Sequence, residues 1–144
     1  MIVVSSCLIG KECRYDAKSK TNEKLLEYLE DKDYICVCPE EMGGLPTPRE
    51  PAEELDGKIL TVNGKDVTVN YELGAKLALE MTLKHKCDKA ILKGKSPMCG
   101  KGLVYDGSHK GKLISGDGVF VKKLLKADVE VINSDDEFCT TGVF

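Results

Sequence analysis

An α/β fold, a single domain with a mainly parallel, Rossmann-like sheet flanked by helices plus a small β-hairpin, is predicted by three observations. Short apolar runs alternate with helical patterns along the chain. The 144 residues are 42% hydrophobic, enough for one real core, and residues 1–144 are taken as that one domain. No internal repeat or low-complexity stretch breaks the pattern. Strands separated by helices form parallel sheets through right-handed crossovers.

The elements follow in order. "IVVSS" (Ile2 to Ser6) reads as a buried strand, and "NEKLLEYLEDK" places Leu25, Leu26 and Leu29 at helical spacing behind an Asn22 cap. "YICVC" (Tyr34 to Cys38) is a second buried strand, stopped by Pro39. "PEEMGGLPTPREPAEELD" carries four prolines and little periodicity, which predicts a long functional loop. "KILTVNGKDVTV" predicts the hairpin, because Asn-Gly suits a tight turn with positive φ at both central residues. "NYELGAKLALEMTLKHK" is apolar around most of its circumference, as a well-covered helix should be. "KAILK" is a third strand, "LVYDG" a short strand with an Asp-Gly turn, "GDGVFVKKLLKA" a last helix and "VEVI" a fourth strand.

Charge excludes some functions. Charged residues make up 31% of the chain but the net charge is only −3, so general nucleic-acid binding is not expected. The apolar start "MIVVSSCLIG" has no basic leader and breaks at Gly10, far short of the roughly 20 residues of a membrane span. A cytoplasmic location and no membrane association are expected. Seven cysteines, an odd number, argue for reduced thiols rather than a disulfide framework.

Ligands of open parallel sheets bind beyond the carboxyl ends of the strands. Cys7 follows the first strand, Cys38 closes the second and Cys99 lies in the loop after the third, so the topology places all three at one rim. Cys36 alternates with Cys38 and reads as a small core hydrophobe. Cys87 ends a helix and Cys139 lies in the C-terminal tail. Cys13 shares a loop with Cys7 and is the other ligand candidate.

Structural zinc takes four ligands, often delivered in close pairs, but no C-x-x-C and no bacterial ferredoxin run occurs. Three cysteines around a 4Fe-4S cluster would leave one iron open as a Lewis acid, one option among those the spacing allows.

"SSCLIGKECRYD", "CPEEMGGLPTPREPAE", "GKDVT" with a following "GA", "LKGKSPMCG" and "VYDGSHKG" together resemble the thiouracil desulfidase family over most of the chain. The joint occurrence of C-P-E, G-G-L-P-x-P-R and S-P-x-C-G carries the specificity. Where the family reads R-Y-D-G this chain has Ala17, and Cys13 is not a position expected to be constant there. The resemblance implies a 4Fe-4S cluster bound by three cysteines, matching Cys7, Cys38 and Cys99, with one open iron. It also implies non-redox removal of sulfur from a thiouracil-type small molecule, a free thiobase or a thionucleotide. The catalytic glutamate and serine of the family fall on Glu40 and Ser96.

The residue types suit that chemistry. A soft thione sulfur on an open iron loses electron density at its carbon, and attacking water then needs a base and an orienting group. Glu40 and Ser96 are placed by the chain beside Cys38 and Cys99. Their plain alternatives are a solvated carboxylate and a hydroxyl capping the loop before Pro97. "GKSPMCGKG" is not a P-loop, since five residues rather than four separate Gly94 from Gly100. Lys93, Lys95, Lys101 and Arg49 are candidates for a nucleotide phosphate, or else solvated surface and a rigid pocket wall. Two other classes stay open: a thiol enzyme pairing Cys99 with His85 or His109, and a sulfide- or cluster-carrying metal-binding module in which Cys13 adds a fourth ligand.

Overall fold

The computed structural model describes residues 1–138. Its centre is a four-stranded parallel sheet in the order β2-β1-β5-β8, built from β1 (Ile2–Ser5), β2 (Tyr34–Val37), β5 (Lys89–Leu92) and β8 (Glu130–Asn133). Two antiparallel hairpins branch from it: β3 (Ala52–Leu55) with β4 (Lys58–Thr61), and β6 (Leu103–Tyr105) with β7 (Leu113–Ser115). The helices are α1 (Glu23–Leu29), α2 (Pro39–Met42), α3 (Thr68–Lys84), α4 (Val119–Lys126) and α5 (Ser134–Glu137). The α/β class and the mainly parallel sheet are those the sequence predicts.

Side-chain alternation assigns the two faces of the sheet. Val3, Ala90, Leu92 and Val131 pack with Tyr71, Ala75 and Ala78 of α3 and Phe120 and Leu124 of α4. Ile2, Val4 and Ile91 point the other way, onto Leu25 and Leu29 of α1. Asn22 caps α1 as expected, its Oδ1 accepting from the Leu25 amide at 3.0 Å, and its Nδ2 donates to the Phe138 carbonyl at 2.8 Å. Among the described residues no helix is long and apolar enough to cross a membrane.

The structure corrects several local expectations. β2 is an edge strand, and Cys36 is exposed rather than a core residue, on the same solvent-facing side of the strand as Tyr34. The proline-rich stretch is not loop throughout, since it holds α2 and β3. The hairpin turns at Asp56-Gly57, whose φ values of 52° and 81° are both positive, and not at Asn63-Gly64. Asn63 and Gly64 lie in a turn centred on Val62 and Asn63, closed by the Gly64 amide donating to the Thr61 carbonyl at 2.8 Å, but the run behind it makes one bridge, Leu60 to Asp66, before α3 begins. Asp66 accepts from the Thr68 amide and hydroxyl at 2.9 and 2.6 Å, which turns the chain into the helix instead. α3 stops at Lys84, so Cys87 sits buried in the turn beyond it. β7 and α5 carried no strong sequence pattern, and Cys139 lies outside the described residues.

Two glycines decide where α2 sits. A Cβ on Gly43 would run into the Asn70 carbonyl, and one on Gly74 into the Pro39 carbonyl. Only with both side chains absent can α2 lie directly on α3. That contact carries Glu40, on α2, to Tyr71, on α3.

Candidate functional site

The chain passes from β1 through α1 to β2 on one side, then crosses back through α3 to β5 on the other. The loops leaving β1 and β5 therefore part, and a crevice opens at this switch point. A cavity of about 480 Å³ occupies it, bordered by Cys7, Cys13, Cys38, Cys99, Glu40 and Ser96 among others. Cys7 rides on the 3₁₀ turn Ser6–Ile9 that continues β1, Cys38 is the residue before α2, and Cys99 lies in the loop between β5 and β6. The five residues singled out as ligands or catalytic groups thus border one space, and Cys13 borders it with them.

The thiols are held by different means. Ser96 Oγ accepts from the Cys99 amide at 2.8 Å and the Met98 amide at 3.3 Å, so its hydroxyl caps the loop that presents Cys99. Burial and the nearby Glu40 charge push the Cys99 thiol well above its ordinary range, against a hydrogen bond from Ser5 that works the other way. Ser5 Oγ also accepts from the Lys93 amide at 3.1 Å, tying the loop after β5 to the end of β1. The sequence reading missed Ser5, although a serine closing an otherwise apolar strand was the available signal. Cys38 Sγ lies 3.7 Å from the Cys13 carbonyl oxygen, and its pKa is raised by hydrogen bonding to Cys13 and by burial. The hydrogen bond with Cys38 lowers the Cys13 pKa, but hydrogen bonding to Cys7 and burial outweigh it, leaving Cys13 pushed up to about 11.

The carboxylates differ as well. Glu40 Oε1 accepts from Tyr71 Oη at 2.6 Å and from Arg49 Nε at 3.4 Å. Burial and the adjacent Glu40 charge hold the Tyr71 phenol well above its usual range, so it remains a donor. Arg49 makes four hydrogen bonds: besides Glu40 it donates to the Cys13 carbonyl at 2.9 Å, to Thr47 Oγ1 at 2.9 Å and to the Pro46 carbonyl at 3.1 Å. Its side chain is only 6% exposed, which makes it a brace of the pocket and not a phosphate acceptor. Glu41 points elsewhere, accepting from Thr47 Oγ1 at 2.6 Å and pairing with Lys11 at 3.3 Å.

Other candidates lie apart or are engaged. Lys93 and Lys95 border the cavity, and Lys93 pairs with Asp135 at 3.1 Å. Lys101 and His85 are not among the lining residues, and His109 sits against Glu53 at 3.6 Å rather than beside Cys99.

Comparison with known proteins agrees with this geometry. The family model described as 2-thiouracil desulfurase matches residues 2–136. An uncharacterized protein of Bacillus subtilis (strain 168), YbbK, is 40% identical over 146 residues, covering 94% of this chain and 97% of its own. The solved structure of the [4Fe-4S]-dependent thiouracil desulfidase TudS superposes with a TM-score of 0.86 at 39% identity, covering 94% of this chain and 91% of that one.

Proposed function

Because the chain belongs to the 2-thiouracil desulfurase family, we propose that it is an iron-sulfur-dependent, non-redox desulfidase that converts the C=S of a thiouracil-type base to C=O with release of hydrosulfide. The observation that carries this reading is the shared cavity. Thiols from the ends of three adjacent parallel strands and one braced carboxylate all face the same space of about 480 Å³.

The donor set fits a 4Fe-4S cluster held by Cys7, Cys38 and Cys99. Soft thiolates suit iron-sulfur centres. All three thiols border the cavity of about 480 Å³, beside Glu40. When bound, the cluster would supply an open iron as a soft Lewis acid for the thione sulfur.

The chain's own residues do the rest. Water adds to the thione carbon and sulfur leaves as hydrosulfide, so no electron is gained or lost. Glu40 is the base: Tyr71 and Arg49 fix Oε1, while Oε2 accepts no hydrogen bond among the described residues and is free to take the proton of water. Ser96 accepts from two amides, which leaves its own proton to donate toward water or substrate. Val37, Pro39 and Pro97 add apolar wall for the flat face of a base.

A second reading, a sulfide- or cluster-carrying module without thiobase turnover, is favoured by one observation: Cys13 is buried in hydrogen-bonding reach of Cys7 and Cys38 and has the chemistry of a fourth ligand. Anaerobic reconstitution followed by assay of hydrosulfide release from 2-thiouracil, 4-thiouracil and 4-thiouridine monophosphate separates the two. Release from any of them supports the desulfidase, and a fully loaded protein that releases none from all three refutes it.

A further inference from the structure

One carboxylate of the cavity has no part in the reaction above. Glu53, on β3, is buried and borders the cavity. Its Oε1 accepts from the backbone N–H groups of Gly107 at 3.0 Å and His109 at 3.1 Å, and its Oε2 lies 3.6 Å from His109 Nδ1. A single side chain of the first hairpin thus engages two amides and an imidazole from the loop, residues 106–112, that joins β6 to β7.

The loop is built to be held from outside. It turns through positive φ at Gly107 (94°), His109 (57°) and Gly111 (77°), a conformation uncommon for any residue other than glycine, though less so for histidine than for most. Gly107 lies so close to β3 that a Cβ there would be 2.7 Å from the Glu54 carbonyl oxygen and 2.8 Å from Leu55 Cβ. Tyr105 and Gly111, at the two ends of the loop, border the cavity together with Ala52 and Glu53. Both hairpins are excursions from the parallel sheet, so the wall they make depends on how they are fastened to each other.

We propose that Glu53 is a positioning residue for the desulfidase reaction: it clamps the 106–112 loop onto the β3–β4 hairpin, and the clamped loop sets which ring substituents of a thiobase the cavity admits. This rests on the function proposed above. Removing a buried acceptor strands two amide donors, a change that shifts a local opening equilibrium by about ten-fold or more.

The experiment uses the iron-loaded chain as wild type, Glu53→Ala and Glu53→Gln, with iron content matched. Hydrogen exchange of the 106–112 amides is read first. It should quicken by about ten-fold or more in Glu53→Ala and return toward wild type in Glu53→Gln, which keeps a carbonyl acceptor. Steady-state kinetics on 2-thiouracil and 4-thiouridine monophosphate are read second. In Glu53→Ala the KM ratio between the two substrates should change by about ten-fold, more than either kcat, with Gln restoring it. Unchanged exchange in the alanine variant, or quickened exchange with an unchanged KM ratio, overturns the proposal. If Glu53→Ala does not fold, Gly107→Ala disturbs the same contact from the loop side with Glu53 intact, and there too unaltered exchange or an unaltered KM ratio overturns it. Exchange needs no turnover, so a chain inactive on every thiobase sinks the function while the clamp is still decided.

Discussion

Tyr71 on α3 donates a 2.6 Å hydrogen bond to Glu40 on α2, across a helix contact that only Gly43 and Gly74 permit. The bond takes Oε1 of a carboxylate that borders the cavity, and Oε2 accepts no hydrogen bond among the described residues. Tyr71→Phe keeps the packing of the ring but leaves Oε1 held by Arg49 alone. The expected outcome is a fall in kcat of about ten-fold, from the loss of one hydrogen bond to a charged group, with iron content unchanged. Steady-state rates and iron analysis on the same preparation check it.

Glu40→Gln preserves size and the contact with Tyr71 but removes the base. Turnover should drop by about 10²- to 10⁴-fold at wild-type iron content. Ser96→Ala should lose less, because its capping of the Cys99 loop is partly replaceable by water. A Glu40→Gln enzyme running at the wild-type rate would remove Glu40 as the base; Glu41, the next carboxylate along the chain, is held away from the cavity by Thr47 and Lys11.

Cys7→Ala, Cys38→Ala and Cys99→Ala should each abolish cluster and activity, whereas Cys36→Ala, Cys87→Ala and Cys139→Ala should keep both. Iron and sulfide content of the purified variants decides the matter, and full occupancy in any of the first three removes that residue from the ligand set. Cys13→Ala tests the carrier reading in the same series: retention of the metal argues against a fourth cysteine ligand.

Turnover should need no electron donor, and the oxygen of the product should come from solvent. Mass spectrometry of uracil formed in ¹⁸O water measures this. A strict requirement for reductant in steady turnover would rule out the hydrolytic chemistry.

The metal-free chain should alkylate slowly at neutral pH. Burial and the Glu40 charge raise the pKa of Cys99, and hydrogen bonding to Cys13 and burial raise that of Cys38, so both stay thiols when a free cysteine has begun to ionise. Their folded pKa lies above the unfolded one. The stability this contributes is therefore present below about pH 8.5, the ordinary cysteine value, and is lost as pH rises through the folded values. Melting temperature of the metal-free chain should fall from pH 8 to pH 10, and less so in Cys99→Ala. Iodoacetamide labelling followed by peptide mass spectrometry reads the individual thiols.

Strand and helix order was legible in the sequence because apolar period and caps are local. Asn22 ahead of Leu25, and Pro39 after Val37, mark real boundaries. From that order alone Cys7, Cys38 and Cys99 fall at the carboxyl ends of strands, whereas Glu40 and Ser96 stand out only through the family resemblance, since adjacency by itself equally allows a solvated carboxylate and a loop-capping hydroxyl. The exposure of Cys36 was not legible, since edge or centre depends on which strands pair, and pairing is set by the crossovers rather than by composition. The hairpin was misplaced by one turn, because Asp56-Gly57 and Asn63-Gly64 have equally good turn chemistry and only the register with β3 chooses between them.

What the sequence by itself determined is the class of fold and the identity of the chemical groups, both properties of short segments read one at a time. The tertiary structure alone decided how those groups hold one another. Arg49 is a brace bonded to four partners, Ser5 ties the loop of Cys99 to β1, and Glu53 fastens two hairpins through bonds to residues 54 and 56 positions away in the chain. Each of those contacts is made across the fold between polar groups distant in sequence. A side chain's hydrogen-bond partners are fixed by where the sheet and helices bring it, and no local pattern of residues records that.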